Sequence, residues 1–250
     1  MERIVEFRDL EKMDYRSAWD IQEELLQQNV KIKSGNGHLM TQGTDARQED
    51  RSSNPETKNW LLFVEHFPVY TLGKSGHMEN MLVNEEEMNK MGIQFFRTNR
   101  GGDITFHGGG QIVGYPILDL EKFGTDIGKY LRNLEETIIL SLKDFGIEGE
   151  RSSGETGVWI QPGIVGKQRK ICAMGVRCSR WITMHGFALN VNTDLSYFNN
   201  IIPCGIQDKQ VTSLQKELGG EIEMEEVKTS LKRNFEKVFD SRLIDATKRF

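Results

Sequence analysis

The sequence predicts one soluble domain in which helices and strands are mixed, and three observations lead there. Hydrophobic residues fill 37% of the 250 positions and charged residues 28%, which allows a sizeable core beneath a solvated surface. Apolar residues recur at both periods, every second position in some stretches and every three to four in others. No break in composition marks a second domain, although residues from about 205 to 250 could form a C-terminal subdomain. The formal net charge of −5 argues against a nucleic-acid partner. The opening MERIVEFRDLEKMDY lacks the apolar stretch of a signal peptide and carries too many acids for a transit peptide. No run reaches the ~18 apolar residues of a membrane span. A cytoplasmic protein without membrane contact is expected, and three cysteines without short metal-type spacing fit a reducing compartment.

Taken in order, residues 4–7 form a short strand. Residues 15–32 carry Ala18, Ile21, Leu25, Leu26 and Val30 at helical spacing. The polar stretch 33–58, rich in Gly, Ser, Asn and Thr, is expected as a loop or an elaborated hairpin. Strands follow at 60–65 and 69–72. Asn84 with Glu87 resembles a capping box opening a short helix, and 94–98 is a further strand. Residues 103–107 and 111–120 are strands on either side of a glycine turn. Residues 126–145 are the clearest helix, with Ile127, Tyr130, Leu131, Leu134, Ile138 and Leu142 on one side and Gly146 as its stop. Strands near 157–161, 169–178 and 182–192 and an amphipathic helix at about 223–239 complete the chain.

Two glycine-bearing motifs do not fit nucleotide loops. Gly73-Lys74-Ser75 would need a glycine at 68 to be a phosphate loop, and that residue is Pro68. The triplet at 108–110 has Val113 where a dinucleotide fingerprint requires glycine, and it precedes a strand instead of a helix. Five glycines nevertheless fall within residues 100–110, which costs folding entropy and exceeds what a plain turn needs. Such clustering suggests a ligand held against backbone N–H groups.

The thiols differ in context. Alternation along 169–178 puts Cys172, Met174, Val176 and Cys178 on one face, a plausible core stripe in which cysteine is inert. A dyad of Lys170 with Cys172 and a zinc site from Cys172, Cys178 and His185 are the alternatives. Cys204 sits between Pro203, which restricts the approaching backbone, and Gly205, which permits a sharp turn. A thiol held this way could act as a nucleophile if Lys170, His107 or His185 helped it ionise.

Four blocks resemble the lipoyl(octanoyl) transferase family: RGGDITFHGGGQIVGYPI at 100–117, GVWI with RKICAMGVRCSRWITMHGFALNV at 157–160 and 169–191, IIPCGI with VTSL at 201–206 and 211–214, and EHFPVYTLGKSG at 65–76. The resemblance covers roughly residues 3–240. Gly109 stands where the family usually has proline, and the stretch around 33–58 looks longer than usual. The resemblance implies a single α+β domain with a mixed, largely antiparallel sheet flanked by helices, like the catalytic domain of biotin and lipoate protein ligases.

It also implies that Cys204 is the acyl-accepting nucleophile and that Lys170 lowers its pKa and serves as base. The acyl group would lie along Arg100, Gly101, Gly102, Asp103, Ile104, Thr105, Phe106 and His107, then Ala173, Met174 and Gly175, then Gly186, Phe187 and Ala188. The implied donor is octanoyl-acyl carrier protein. The implied recipients are lipoyl carrier domains of 2-oxoacid dehydrogenase E2 subunits and the glycine cleavage H protein. No cofactor or metal is implied, and a monomer is expected. Lys167, Arg169 and Arg180 are expected to dock the acidic carrier. The competing readings are an ATP-dependent lipoate ligase, an amidotransferase moving octanoyl between carrier domains, and a non-catalytic acyl-binding module.

Overall fold

The computed structural model describes residues 2–35, 55–202 and 210–246. In chain order the elements are β1 (Arg3–Met13), α1 (Tyr15–Gly35), β2 (Trp60–His66), β3 (Val69–Leu72), α2 (Glu85–Lys90), β4 (Gln94–Arg97), β5 (Ile104–His107), β6 (Gln111–Ile117), α3 (Leu120–Phe123), α4 (Ile127–Asp144), β7 (Val158–Ile160), β8 (Arg169–Ser179), β9 (Ile182–Asn190), β10 (Gln210–Val211), α5 (Leu214–Leu218), α6 (Met224–Phe239) and β11 (Ser241–Asp245). Short 3₁₀ turns lie at Met78–Asn80 and Leu195–Asn200. The main sheet runs β10-β8-β9-β6-β2-β1-β11, with β7 also paired to β8, and a small sheet runs β4-β3-β5. The main sheet is mixed: β1 is parallel to β2 and β11, and β10 is parallel to β8, while the β2–β6, β6–β9, β8–β9 and β7–β8 pairs are antiparallel. This is a single α+β domain with helices on both sheet faces.

The apolar run of β2 shows why the helices take both faces. Alternation turns Leu61 and Phe63 to one side and Trp60, Leu62 and Val64 to the other. The first pair joins a core with Leu134, Ile138 and Leu142 of α4 and Leu231 and Phe235 of α6. The second set packs on Ala18, Leu25 and Leu26 of α1. A continuous apolar strand is what a layer buried on both faces requires. A third core beneath the small sheet gathers Tyr70, Leu72, Ile104, Phe106, Phe198 and Ile201.

Local signals locate several boundaries. Asn84 and Glu87 form both halves of the capping box of α2, and Asp126 caps α4 by accepting from Lys129 N. Gly146 takes φ 75° just after α4, the left-handed value that favours glycine there. The opening strand is longer than its apolar part, because β1 continues past an irregularity between Asp9 and Lys12 and pairs Met13 with His66. Glu11 adopts φ 54° within that irregularity. The polar stretch around 33–58 falls mostly at 36–54, outside the described residues. The C-terminal residues, a candidate subdomain from the sequence, contribute Val227, Leu231, Phe235 and Phe239 to the core under the main sheet, and β11 pairs with β1.

The two strands around the glycine turn belong to different sheets. β5 pairs with β3 and β6 pairs with β2 and β9, so residues 108–110 carry the chain from the small sheet to the large one. Gly110 has φ 71°, and a Cβ there would come within 2.5 Å of Asn192 O, so the crossing demands glycine twice over.

Candidate functional site

Lys170 stands on β8 with strands on both sides. Its backbone pairs with Trp159 of β7 and with Val211 of β10, and its carbonyl accepts from Thr212 N at 2.9 Å. The side chain lies over the Trp159 ring, Nζ 4.6 Å from the centroid. A side chain rooted in three paired strands is well suited to precise chemistry. One residue earlier, Arg169 makes a two-pronged ion pair to Glu217 of α5, both contacts 2.6 Å, and is largely buried.

Farther along β8 the sheet opens. Cys172 pairs with Val158 on one side and Leu189 on the other, but β7 ends there. Beyond it, the outer edge of β8 is met by the glycine loop, where Gly101 N donates to Val176 O at 2.9 Å. That loop is shaped by Arg100. Its guanidinium is mostly buried and donates to Thr71 O (2.7 Å), Asp103 O (2.8 Å) and Gly101 O (3.0 Å). The Gly73-Lys74-Ser75 triplet holds the loop from outside: Lys74 N donates to Arg100 O and Ser75 N to Gly102 O. A Cβ on Gly73 would lie 2.2 Å from Gly102 O, which accounts for that glycine without any phosphate.

Between the loop and the sheet lies a cavity of about 470 Å³. Of the acyl-contact positions expected from the sequence, Arg100 through Thr105, His107, Ala173, Met174, Gly175, Gly186, Phe187 and Ala188 line it, as does Lys170. Phe106 does not. Alternation turns it into the third core, where it stacks on Tyr197 at 4.5 Å. Gly186 lines the cavity for a reason the sequence did not expose: a Cβ there would fall 2.1 Å from Gly114 O of the next strand. Pro203, Cys204 and Gly205 lie outside the described residues. The chain enters their segment at Ile202, whose N–H donates to Asn80 O, and leaves it at β10, where Val211 pairs with Lys170.

Sequence reasoning missed Tyr15, Tyr115, Leu131, Glu155 and Thr156 in the lining. They come from α1, β6, α4 and the loop before β7, and none carries a local motif. The 154–156 loop is anchored by Glu135, fully buried, which accepts from Gly157 N (3.0 Å) and Arg151 Nε (3.1 Å). The residues expected to dock the carrier do not form one surface. Arg169 is held by Glu217, and Arg180, at the opposite end of β8, donates to Ser34 Oγ.

Burial favours the neutral forms of Cys172, Cys178, His66, His107 and His185. Burial drives the Cys172 thiol far above its ordinary range and also raises Cys178. These two thiols and His185 do not form a metal-ligand cluster among the described residues. Burial lowers His66 to about 4 and His185 to about 3, and holds His107 well below 6.5. Acid stability follows. Between pH 6.5 and those folded values, protons bind the unfolded chain and not the native one. The histidine contribution is complete above pH 6.5 and is lost as pH falls through that window. At pH 5 His66 and His185 each cost about 2 kcal/mol. The thermal midpoint is expected to drop between pH 7 and pH 5, and His66→Gln to flatten that drop; an unchanged slope would contradict the buried neutral assignment.

Known proteins share this fold. The chain matches the lipoyl protein ligase A/B catalytic domain over residues 14–236. It is 54% identical over 245 residues to an octanoyltransferase of Flavobacterium johnsoniae, covering 98% of this chain and 100% of the relative. It is 48% identical to an octanoyltransferase of Cytophaga hutchinsonii over 96% of this chain and 94% of the relative. Among solved structures, lipoate-protein ligase A bound with ATP superposes with a TM-score of 0.69 at 18% identity, covering 100% of this chain and 92% of that one. A bi-partite lipoate protein ligase from Thermoplasma acidophilum gives 0.64 at 18% identity, covering 99% and 89%. At those identities the superpositions speak to fold alone, whereas the near full-length match to the family and the relatives at 48–54% identity reach further: the chain belongs to the lipoyl protein ligase A/B catalytic domain family.

Proposed function

We propose that the chain transfers an octanoyl group from octanoyl-acyl carrier protein to the lysine of a lipoyl carrier domain, through a thioester on Cys204 with Lys170 as proton acceptor. The reaction class is acyl transfer, as in the octanoyltransferases it resembles at 48–54% identity. The observation that carries the reading is the cavity lined by Lys170 at one end of its β8 wall, with Ala173, Gly175 and Ala188 along its length. Small side chains leave a narrow passage next to backbone, suited to an unbranched acyl chain.

The chemistry takes two displacements. The Cys204 thiolate attacks the acyl carbon, the carbon–sulfur bond to the carrier breaks, and the carrier thiolate leaves, taking a proton from the Lys170 ammonium and leaving Lys170 as a neutral amine. The recipient lysine amine then attacks the acyl-enzyme, the new carbon–nitrogen bond forms, the Cys204–acyl bond breaks, and Lys170 accepts the amine's proton. The assignment to Cys204 draws support from the other thiols, since burial disfavours the thiolate of both Cys172 and Cys178. Neither displacement needs nucleotide, because the thioester is already activated. The recipients would be the lipoyl domains of 2-oxoacid dehydrogenase E2 subunits and the glycine cleavage H protein, and the enzyme would act as a cytoplasmic monomer. Among the described residues no helix is long and apolar enough to cross a membrane.

Purified protein, octanoyl-acyl carrier protein and a lipoyl domain are expected to give the octanoyl amide without ATP. A strict requirement for ATP and Mg²⁺ with free octanoate would overturn the reading in favour of ligation.

A further inference from the structure

We propose that Glu217 is a positioning residue for the transfer reaction: its carboxylate clamps β10 to the start of β8 and so fixes where Lys170 stands beside β10. This rests on reading Lys170 as the acid–base group of the reaction.

β10 is too short to hold its own register. Gln210 and Val211 pair in parallel with Arg169 and Lys170, and the flanking backbone bonds are Gln210 N to Gln168 O (3.2 Å) and Thr212 N to Lys170 O (2.9 Å). Two residues of parallel pairing are marginal by themselves. Side chains supply the rest. Thr212 is fully buried, and each of its polar groups is engaged. Its N–H goes to Lys170, its carbonyl accepts from Asn190 Nδ2 (3.0 Å), and its hydroxyl donates to Glu217 Oε1.

The same carboxylate takes the fork of Arg169, Nε on Oε1 and Nη2 on Oε2. One side chain therefore joins the residue before Lys170 on β8 to the residue after Val211 on β10. The Lys170–Val211 pair lies between these two points. Arg169 is held in turn by Gln161 Oε1 and Lys167 O, both 2.9 Å from Nη1. The Arg169 fork and, after it, the Thr212 hydroxyl hold Glu217 below the usual carboxylate range, so the clamp is charged at physiological pH.

A largely buried ion pair contributes little net stability compared with apolar packing, but a two-pronged fork fixes direction and spacing. Alternation turns Arg169 and Lys170 to opposite faces of β8. Arg169, Thr212 and Glu217 do not line the cavity, whereas Lys170 does. The clamp thus acts on the reaction through Lys170 and without touching the acyl chain.

The test measures octanoyl transfer for Glu217→Ala, Glu217→Gln and Thr212→Val, each made in the wild type and in Lys170→Met. Glu217→Ala is expected to lower kcat by about tenfold to a hundredfold, the scale of a misplaced reacting group, with KM for octanoyl-acyl carrier protein nearly unchanged. Glu217→Gln keeps an oxygen for Thr212 and Arg169 Nε, so it should retain more activity than the alanine variant. Thr212→Val removes one hydroxyl and keeps the N–H to Lys170, and should cost about threefold to tenfold. In Lys170→Met, where nothing is left to position, each change should alter the residual rate by less than about twofold. Equal losses in both backgrounds mean that Glu217 supports the fold generally, and they overturn the proposal. A Glu217→Ala enzyme with wild-type kcat overturns it as well. If Glu217→Ala does not fold, Thr212→Val decides by the same comparison. Full activity in Lys170→Met removes the reading beneath the clamp, whereas a defective Lys170→Met with equal losses removes the clamp alone.

Discussion

Replacing Lys170 with methionine is expected to lower kcat for octanoyl transfer by roughly 10²–10⁴-fold, the usual cost of losing a positioned acid–base group. Methionine keeps most of the apolar stem that lies over Trp159, so the thermal midpoint should stay close to wild type. Backbone pairing to Trp159 and Val211 does not depend on the side chain at all. Binding of octanoyl-acyl carrier protein should be retained, which places the defect in kcat instead of KM. Lys170→Arg is a sharper version, since it keeps the charge but replaces an amine that can lose a proton with a guanidinium that does not. If Lys170→Arg is as active as wild type, Lys170 supplies charge alone. If Lys170→Met is fully active, it has no part in the reaction.

Gly175→Val is expected to reduce octanoyl transfer at least tenfold. The new Cβ would stand 2.6 Å from Gly101 O and 3.2 Å from Arg100 Cδ. Gly101 is the residue that closes on β8 through Val176 O, so the glycine loop must shift outward or the valine must displace the ligand. Overpacking of this kind costs about 1–3 kcal/mol, a factor of about 5 to 150 if it falls on the bound state. Short acyl donors that stop before Gly175 should suffer less than C8 and C10 donors. Equal loss from C4 to C10 would indicate general damage to the loop, and the cavity would lose its standing as the acyl slot.

Elements written in local periodicity or capping were legible in the sequence: α1, α4, α6, the capping box of α2 and the strands from β2 to β9. What was not legible depended on partners far away in the chain. β11 and β10 are short strands formed by pairing with β1 and β8, with no periodicity of their own. The site divides the same way. The clustered glycines around Arg100 announced a close approach of backbone, and the structure shows that approach to be Gly101 against β8. Tyr15 and Tyr115 could not be found from sequence, because an isolated tyrosine on a helix or strand is ordinary until the fold brings it to a cavity. One reading needed physical correction, since Phe106 belongs to the opposite face of its strand; Arg169, expected on a docking surface, is paired with Glu217.

The most direct test of the central claim is intact-mass analysis of the protein after brief exposure to octanoyl-acyl carrier protein, with no acceptor domain and no ATP. A single octanoyl adduct is expected, released by hydroxylamine, mapped by peptide analysis to Cys204, absent from Cys204→Ser and undiminished in Cys172→Ala. An adduct on Cys172, or transfer that proceeds at the wild-type rate in Cys204→Ser, would contradict it.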